Sequence, residues 1–527
     1  MITKVRNWLR DPVFLLALAA ALLACVVQSG DLGSVDTLRR LQTTHSFWTS
    51  EPPVLAADYP DFGLRGQDGR IYAWYGIGQS LLMLPTDIAG TYLERLPIFR
   101  DYNGNDPRVR DIVVAYSTNI LIIVLSVLVC VRFLLALGFS RNEALAGVLA
   151  LLFCTTHLHY TQNMMENNYI LLLTLTGFTF QYEWLRTGNR RALLIGCAAL
   201  GLNLLTRLTT GLDLIAAGGF LLIVVWLEHV PGKQLLQKAF EYVKTAAPVY
   251  AVFLLLDRLY QFHRFGSFFN TYVTVFGEQQ KAMHPELPPN YPFEIPFHVG
   301  FFGALFTPEK SIFLFDPLLV LTILLALLLW GRFSSQLKAY LISVSLLLLA
   351  YLCFYARYTV WSGDSAWGDR YVSTAAEFVA FISVPLLIHY RSAMAKGVLS
   401  WGVVLIGISL AVQLASLAFW LPLELYQMTT LGHPTCVVCL RFENIAAFSL
   451  GKMDQWGLTN SDMTTDPWDY VHITTWNFLP FVLRRVGVAH AWAVRLVFSL
   501  WWAGVGALAW TLWLLRNGLR VNEHRPR

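Results

Sequence analysis

The sequence predicts an all-α polytopic membrane protein, and three observations carry that class. Of its 527 residues, 56% are hydrophobic and only 14% are charged, against roughly 25% charged in ordinary soluble proteins. The apolar residues gather into runs near 13–29, 112–136, 143–158, 168–185, 192–206, 212–227, 244–262, 313–331, 337–355, 372–388, 398–420 and 491–515. Most of these runs, as helices rising 1.5 Å per residue, reach across a hydrocarbon layer about 30 Å thick, which predicts about 12 transmembrane helices. Lys and Arg, finally, gather in the turns on one side of such an alternation.

The first run follows Lys4, Arg6 and Arg10, as a signal peptide would. No small-residue cleavage site follows it, so it reads as an uncleaved first helix. Alternating spans then place the amino terminus, Arg132/Arg141, Arg186/Arg190/Arg191, Lys233/Lys238/Lys244, Arg332/Lys338, Arg391/Lys396 and the tail Arg516/Arg520/Arg525/Arg527 on one side. The positive-inside rule makes that side the cytoplasm, with both termini in it. The other side receives three long extracytoplasmic loops, 30–110, 263–312 and 421–490, which hold most of the acids. The short basic turns account for the net charge of +5, so no nucleic-acid partner is implied.

Cys25, Cys130, Cys154, Cys197 and Cys353 fall in or near spans as packing residues. Cys436 and Cys439 form a C-x-x-C that an oxidising compartment can close into a disulfide; a zinc site needs two further ligands at recognisable spacing. The halves of the span pattern do not mirror one another, and the main ionisable residues in spans, Arg207, Asp213, Asp257, Arg258, Glu377 and Arg495, fall near span ends. Neither feature fits a transporter built from repeats around a buried relay.

The first outer loop carries its own structure. Residues 36–48 place Leu38, Leu41 and His45 at helical spacing, with Trp48 suited to the headgroup level, which predicts an interfacial amphipathic helix. Glycine-rich turns, an aromatic patch at Tyr72, Trp74 and Tyr75, and a short interfacial helix follow. The second outer loop, "KAMHPELPPNYPFEIPFHVG", is too rich in proline for a regular helix and reads as a lid or cleft wall.

Four polar sites sit at outer ends of spans: Asp36, Glu166 in "HYTQNMMENNYILLL", Arg207 in "NLLTRL", and "WSGDSAWGDRY" with Asp364, Asp369 and Arg370. Two carboxylates and several arginines beside a membrane suit transfer of a group from a lipid-linked phosphate to a hydroxyl. A carboxylate takes the acceptor's proton, and a guanidinium fork holds the phosphate. Each has a plainer reading. Asp36 with Arg39 and Arg40 is also an i, i+3/i+4 pair on a solvated helix; Glu166 is also a helix-start acid favoured by the dipole; Arg207 and Arg370 can snorkel to headgroups. His157 and His159 make half a metal site with no third ligand in view.

The order of these residues resembles that of the C-type glycosyltransferase superfold (GT-C), multispan enzymes that use polyprenyl-phosphate-linked sugars. In "SVDTLRRLQTTHSFW" the likeness makes Asp36 the acid that opens a helix beside the membrane after the first span. In "ENNYILLLTLTGFTFQYEWLRTGNRRALLIGCAALGLNLLTR" it makes Glu166 the second acid and puts Arg207 where relatives carry lysine. "FTPEKSIFLFDPLLVL" is similar to a "SPGKGLFLYSPLL" stretch and places Lys310 at a basic position; "WGDRYV" is similar to "WGPRYL" and makes Arg370 a phosphate-binding candidate, beside Trp367, Asp369 and Tyr371. Asp36 and Glu166 are thus the catalytic candidates, and Arg207, Lys310, Trp367, Asp369, Arg370, Tyr371, Tyr72 and Tyr75 the substrate-binding ones.

Many relatives pair two acids in the first loop where this chain has Val35-Asp36-Thr37, so Asp31, Asp58, Asp61 and Asp68 stay open as further acids. The resemblance implies a catalytic transmembrane region over 1–400 and a C-terminal transmembrane region over 401–527. It implies a polyprenyl-phosphate sugar as donor, a glycan, lipid or protein as acceptor, and a bacterial plasma membrane with the site on its periplasmic face. The phosphate is already a good leaving group, so the expected inverting displacement calls for no metal and no cofactor.

Overall fold

A computed structural model describes residues 11–55, 63–100, 102, 107–364, 366–429, 431–452, 475–487 and 490–523. Lys4, Arg6, Arg10, Arg525, Arg527 and the alternative acids Asp58 and Asp61 lie outside them.

The chain enters through α1 (Pro12–Val27), started by a proline in its first turn and by Asp11, which accepts a hydrogen bond from the Val13 amide at 3.1 Å. α2 (Val35–Ser46) follows. A small antiparallel hairpin, β1 (Leu64–Arg65) with β2 (Ile71–Tyr72), then leads to α3 (Gly78–Glu94). The central bundle comprises α4 (Val109–Ala136), α5 (Arg141–Cys154), the short α6 (His157–Gln162), α7 (Asn167–Thr187), α8 (Arg190–Thr206), α9 (Gly211–Leu227) and α10 (Gly232–Phe265). α11 (Tyr272–Met283) and α12 (Phe297–Phe306) flank the proline-rich stretch, which is not helical. α13 (Ile312–Phe315), α14 (Leu318–Leu329), α15 (Ser335–Tyr355), α16 (Ser373–Ala380), α17 (Ser383–His389) and α18 (Lys396–Ser416) complete the bundle. α19 (Pro422–Thr429), α20 (Val437–Ser449), α21 (Leu479–Val486) and the long α22 (Ala491–Glu523) close the chain.

The all-α polytopic class is what the structure shows. Among the described residues, six helices are long and apolar enough to cross a membrane, and Pro12–Val27, Phe297–Phe306, Leu318–Arg332 and Ser373–His389 are shorter apolar helices. The six are fewer than the predicted runs because several runs are short or broken. α5 has 14 residues, the run near 313–331 breaks at Asp316-Pro317, and the run near 372–388 divides between α16 and α17. At the centre, Phe133 meets Tyr340 at 5.2 Å and Phe178 meets Phe220 at 5.6 Å, with all four rings buried. α1 packs against both α4 and α22, so the last helix returns to the first.

The bundle has two unlike ends. At one end, short turns bring basic residues together with acids: Arg141 pairs with Asp11, Arg132 with Glu183 at 2.6 Å, Arg186 with Glu228 at 2.5 Å, and His389 with Glu143 at 3.1 Å. At the other end lie the long connections, with α2, α3, α11 and α20.

Two expectations change, and the disulfide open to the C-x-x-C is formed. α2 is no surface helix: Thr37, Arg39, Arg40, Leu41, Thr43, Thr44 and His45 are all buried, because α3 and residues before α7 cover its polar face. Thr37 donates to the Met164 carbonyl at 2.8 Å, and His45 meets Asp87 of α3 at 2.9 Å. The bundle also buries more acids than expected, since Asp316 accepts from the Thr156 amide at 2.8 Å and Glu377 from the Thr156 hydroxyl at 2.7 Å. Cys436 and Cys439 are disulfide-bonded.

Candidate active site

Ser34 caps α2, its hydroxyl accepting from the Thr37 amide at 3.2 Å, and this sets Asp36 on the first turn. One carboxylate oxygen of Asp36 accepts from the Tyr75 hydroxyl at 2.6 Å, and the other accepts from Arg370 Nη1. One turn further along α2, Arg40 lies 4.3 Å above the Tyr75 ring. Its Nη1 is 2.7 Å from Glu166 Oε2, an ion pair too bent to count as a hydrogen bond. The other oxygen of Glu166, at the start of α7, accepts from Arg207 at the end of α8. Arg207 and Arg370 sit 5.4 and 5.2 Å from the Tyr371 ring, which stacks on Tyr355 at 4.4 Å.

These contacts close on themselves: Asp36, Arg370, Tyr371, Arg207, Glu166, Arg40 and Tyr75 form a ring. Arg40 makes its ion pair with Glu166, while its charge also reaches Asp36. Burial would raise the Asp36 carboxyl, but Arg370 and Arg40 more than offset it and hold the group below the usual carboxylate range. Burial likewise opposes ionisation of Glu166, and Arg40 and Arg207 overcome it to bring that carboxyl well down. The Tyr75 phenol is pushed well up by burial and by the Asp36 charge, so it stays a hydrogen-bond donor.

The ring lines a cavity of about 370 Å³. Five arginines and four carboxylates line it, leaving one net positive charge. A second cavity of about 540 Å³ adjoins it, sharing Leu208, Tyr272, Tyr355, Tyr358 and Tyr371 and bounded otherwise by groups such as Leu212, Phe293 and Phe354. A charged chamber thus opens beside an apolar one.

Close backbone contact holds the Tyr75 segment in place. A Cβ at Gly76 would lie 2.3 Å from the Leu205 carbonyl oxygen, and one at Gly78 would lie 2.1 Å from the Thr206 hydroxyl. Glycine at both positions lets this loop rest on the end of α8, next to Arg207.

Of the predicted site residues, Asp36, Glu166, Arg207, Arg370, Tyr371 and Tyr75 meet on the charged cavity. Lys310, Trp367, Asp369 and Tyr72 do not reach its wall. Lys310 is buried beneath the 361–371 segment and donates to the carbonyls of Asp364, Ala366 and Gly368 at 2.6, 2.9 and 3.4 Å, with burial pulling its amine down to about 8. Trp367 is buried against Phe315 and His159, at 5.1 and 5.7 Å. Asp369 accepts from the Tyr371 amide at 3.0 Å, and burial raises its carboxyl to about 7. These three support the segment that presents Arg370. Tyr72 donates to Asp68 at 2.7 Å on the hairpin, and Asp31 accepts from the Leu32 amide at 2.7 Å, so neither alternative acid joins the ring.

Sequence reasoning missed the role of Arg40, and it missed Tyr355 and Tyr358. The tyrosines stand at and just beyond the end of α15, where no periodic pattern marks them, and nothing local showed that Arg40 would pair with Glu166.

No curated protein matches the chain. Residues 103–271 match the family model of dolichyl-phosphate-mannose-protein mannosyltransferases, a stretch that holds Glu166 and Arg207. That match covers less than half of the chain; together with the polytopic helical bundle it supports a membrane glycosyltransferase of the C-type superfold that uses a polyprenyl-phosphate-linked sugar.

Proposed function

We propose that the protein transfers a hexose, mannose on the strength of the matched family, from its polyprenyl-phosphate carrier to an acceptor hydroxyl on the membrane face turned away from the cytoplasm. The observation that carries this reading is the ring of Asp36, Glu166, Arg40, Arg207 and Arg370 on a cavity that adjoins an apolar one. A sugar phosphodiester carries one negative charge, which the surplus of one positive charge in the cavity balances. The apolar cavity beside it suits the first isoprene units. A diphosphate carrier brings more charge than that surplus meets, which favours the monophosphate. The basic turns lie at the opposite end of the bundle, and by the positive-inside rule that end faces the cytoplasm.

In the reaction, the acceptor oxygen forms a bond to the anomeric carbon as the bond from that carbon to the phosphate oxygen breaks. The electron pair leaves with the polyprenyl phosphate, and the acceptor proton passes to the ionised Asp36 carboxylate. Arg370 touches Asp36, and in this reading its guanidinium meets the charge growing on the phosphate. Glu166, its side chain 4% exposed against 17% for Asp36, serves as a positioning residue between Arg40 and Arg207.

The test is transfer of labelled sugar from short-chain polyprenyl-phosphate mannose by the purified protein and its Asp36→Asn variant, with polyprenyl-phosphate binding measured alongside. Transfer by the wild type and not by a variant that still binds the lipid supports the reading. Equal transfer by both removes Asp36 as base, and use of only the diphosphate-linked sugar overturns the donor.

A further inference from the structure

The charged cavity has a second wall, and the ring described above does not use it. Trp74, Phe276 and Tyr291 follow one another along it, with Trp74 and Phe276 centred 5.1 Å apart and Phe276 and Tyr291 5.9 Å apart. The row begins at the ring itself, because Trp74 lies 5.9 Å from Tyr75, the residue that donates to Asp36. All three rings are only partly buried, so their faces are available to a guest.

The polar groups of this wall are neutral or acidic in effect. Arg258 is engaged by Asp257 Oδ2 and by the carbonyls of Phe268 and Asn270, at 3.3 and 3.2 Å. Arg264 donates to the carbonyls of Ala73 and Tyr75, at 2.5 and 3.1 Å, and to the Gln261 side chain at 3.0 Å. Arg258 and both Nη atoms of Arg264 therefore hold the protein's own chain, and the Arg264 Nε is buried without a partner. Gln261 is 3% exposed and lines the cavity, yet its amide nitrogen has no hydrogen-bond partner. A buried donor left unmatched is costly unless something binds to it.

Aromatic faces, an unmatched amide donor and a carboxylate, with the nearby cations already engaged, suit a neutral polyhydroxylated guest. An anionic acceptor calls for a free cation. We infer that the acceptor of this transferase is a neutral saccharide, seated on Trp74, Phe276 and Tyr291 with one hydroxyl at Asp36; the inference rests on the transfer reading above and names its second substrate. Apolar C–H faces of the sugar lie on the rings, and Gln261 donates to a sugar oxygen.

The experiment uses the full chain in phospholipid nanodiscs, free of glycoside detergent. Saturation-transfer NMR reports binding of methyl α-mannoside, mannobiose and a serine- and threonine-containing hexapeptide, and a transfer assay offers the same compounds as acceptors. The saccharides should bind and accept label. Phe276→Ala and Gln261→Leu should each raise the saccharide KM by about tenfold while changing kcat by less than about threefold. Retained binding of polyprenyl phosphate shows that each variant is folded. The inference is overturned if the wild type does not bind the saccharides, if the peptide accepts in their place, or if neither variant moves the saccharide KM. Failure of polyprenyl phosphate to bind the wild type would overturn the donor reading instead, and the NMR titration would still decide the acceptor.

Discussion

Two arginine–carboxylate clusters lie at the same end of this molecule and do different work. In the first, Arg441 grips both oxygens of Glu424, at 2.6 and 2.7 Å, and sends its third nitrogen to the carbonyls of Ser416 and Phe419, each at 2.8 Å. Asn444 completes Glu424 at 3.0 Å, and both charged side chains are wholly buried. In the second, the ring around Asp36 and Glu166, the Nε atoms of Arg40 and Arg370 have no partner, and the cluster faces a cavity. A saturated, sealed pair fastens structure: Arg441 joins α18, α19 and α20 and lies 5.2 Å from the Trp367 ring. An unsaturated pair on a cavity keeps capacity for a ligand. The chemistry of the side chains is the same, and the partners left over tell the two apart.

The sharpest way to break this comparison is to remove the acid of the open cluster. Asp36→Asn should lower the transfer rate by about 10²- to 10⁴-fold, measured under single turnover, with little change in melting temperature. Retained activity would return Asp36 to a purely structural role. Arg370→Gln should cost about 10²- to 10³-fold in kcat. It should also move the acid limb of the pH profile of kcat/KM upward. Arg370 is the main group that lowers the Asp36 carboxyl, and without it the acid protonates at higher pH, so the ionised base is lost earlier as pH falls. An unmoved limb would separate Asp36 from the proton transfer.

The sealed cluster should behave in the opposite sense. Glu424→Ala leaves Arg441 buried without its acid and should destabilise the fold by about 3–5 kcal/mol, read by thermal melting. Activity per folded molecule should stay within about threefold, and a large fall in kcat with an unchanged melt would make this pair part of the catalytic machinery. The smallest effect expected is that of Ser34→Ala, which removes the cap of α2 and should cost about 1 kcal/mol. Because Asp36 rides on the first turn of that helix, a modest loss of rate should accompany the lower melting temperature.

Much of this was legible in the sequence, and what was not has a common cause. Asp36, Glu166, Arg207 and Arg370 stood out as charges at ends of apolar runs, and the structure brings them together. Lys310 stood out in the same way, yet it serves three carbonyls under the segment that carries Arg370. A basic residue at a span end meets either a ligand or a backbone, and only the path of the 361–371 segment selects between them. The hairpin acid Asp68 and the cap-like Asp31 were equally eligible until the fold turned them elsewhere.

Composition and the spacing of apolar residues settle the class of the molecule, because burying so much apolar surface calls for helices that satisfy their own backbone hydrogen bonds within a membrane. The caps at Ser34 and Asp11 are local too, acting over three residues or fewer. The tertiary structure decided which charges meet. Asp36 and Arg370 are 334 positions apart, and Glu166 and Arg207 are 41 apart. Such pairings depend on how helices pack and on which glycines let a loop close on a helix end, and neither is written in any local window of the chain.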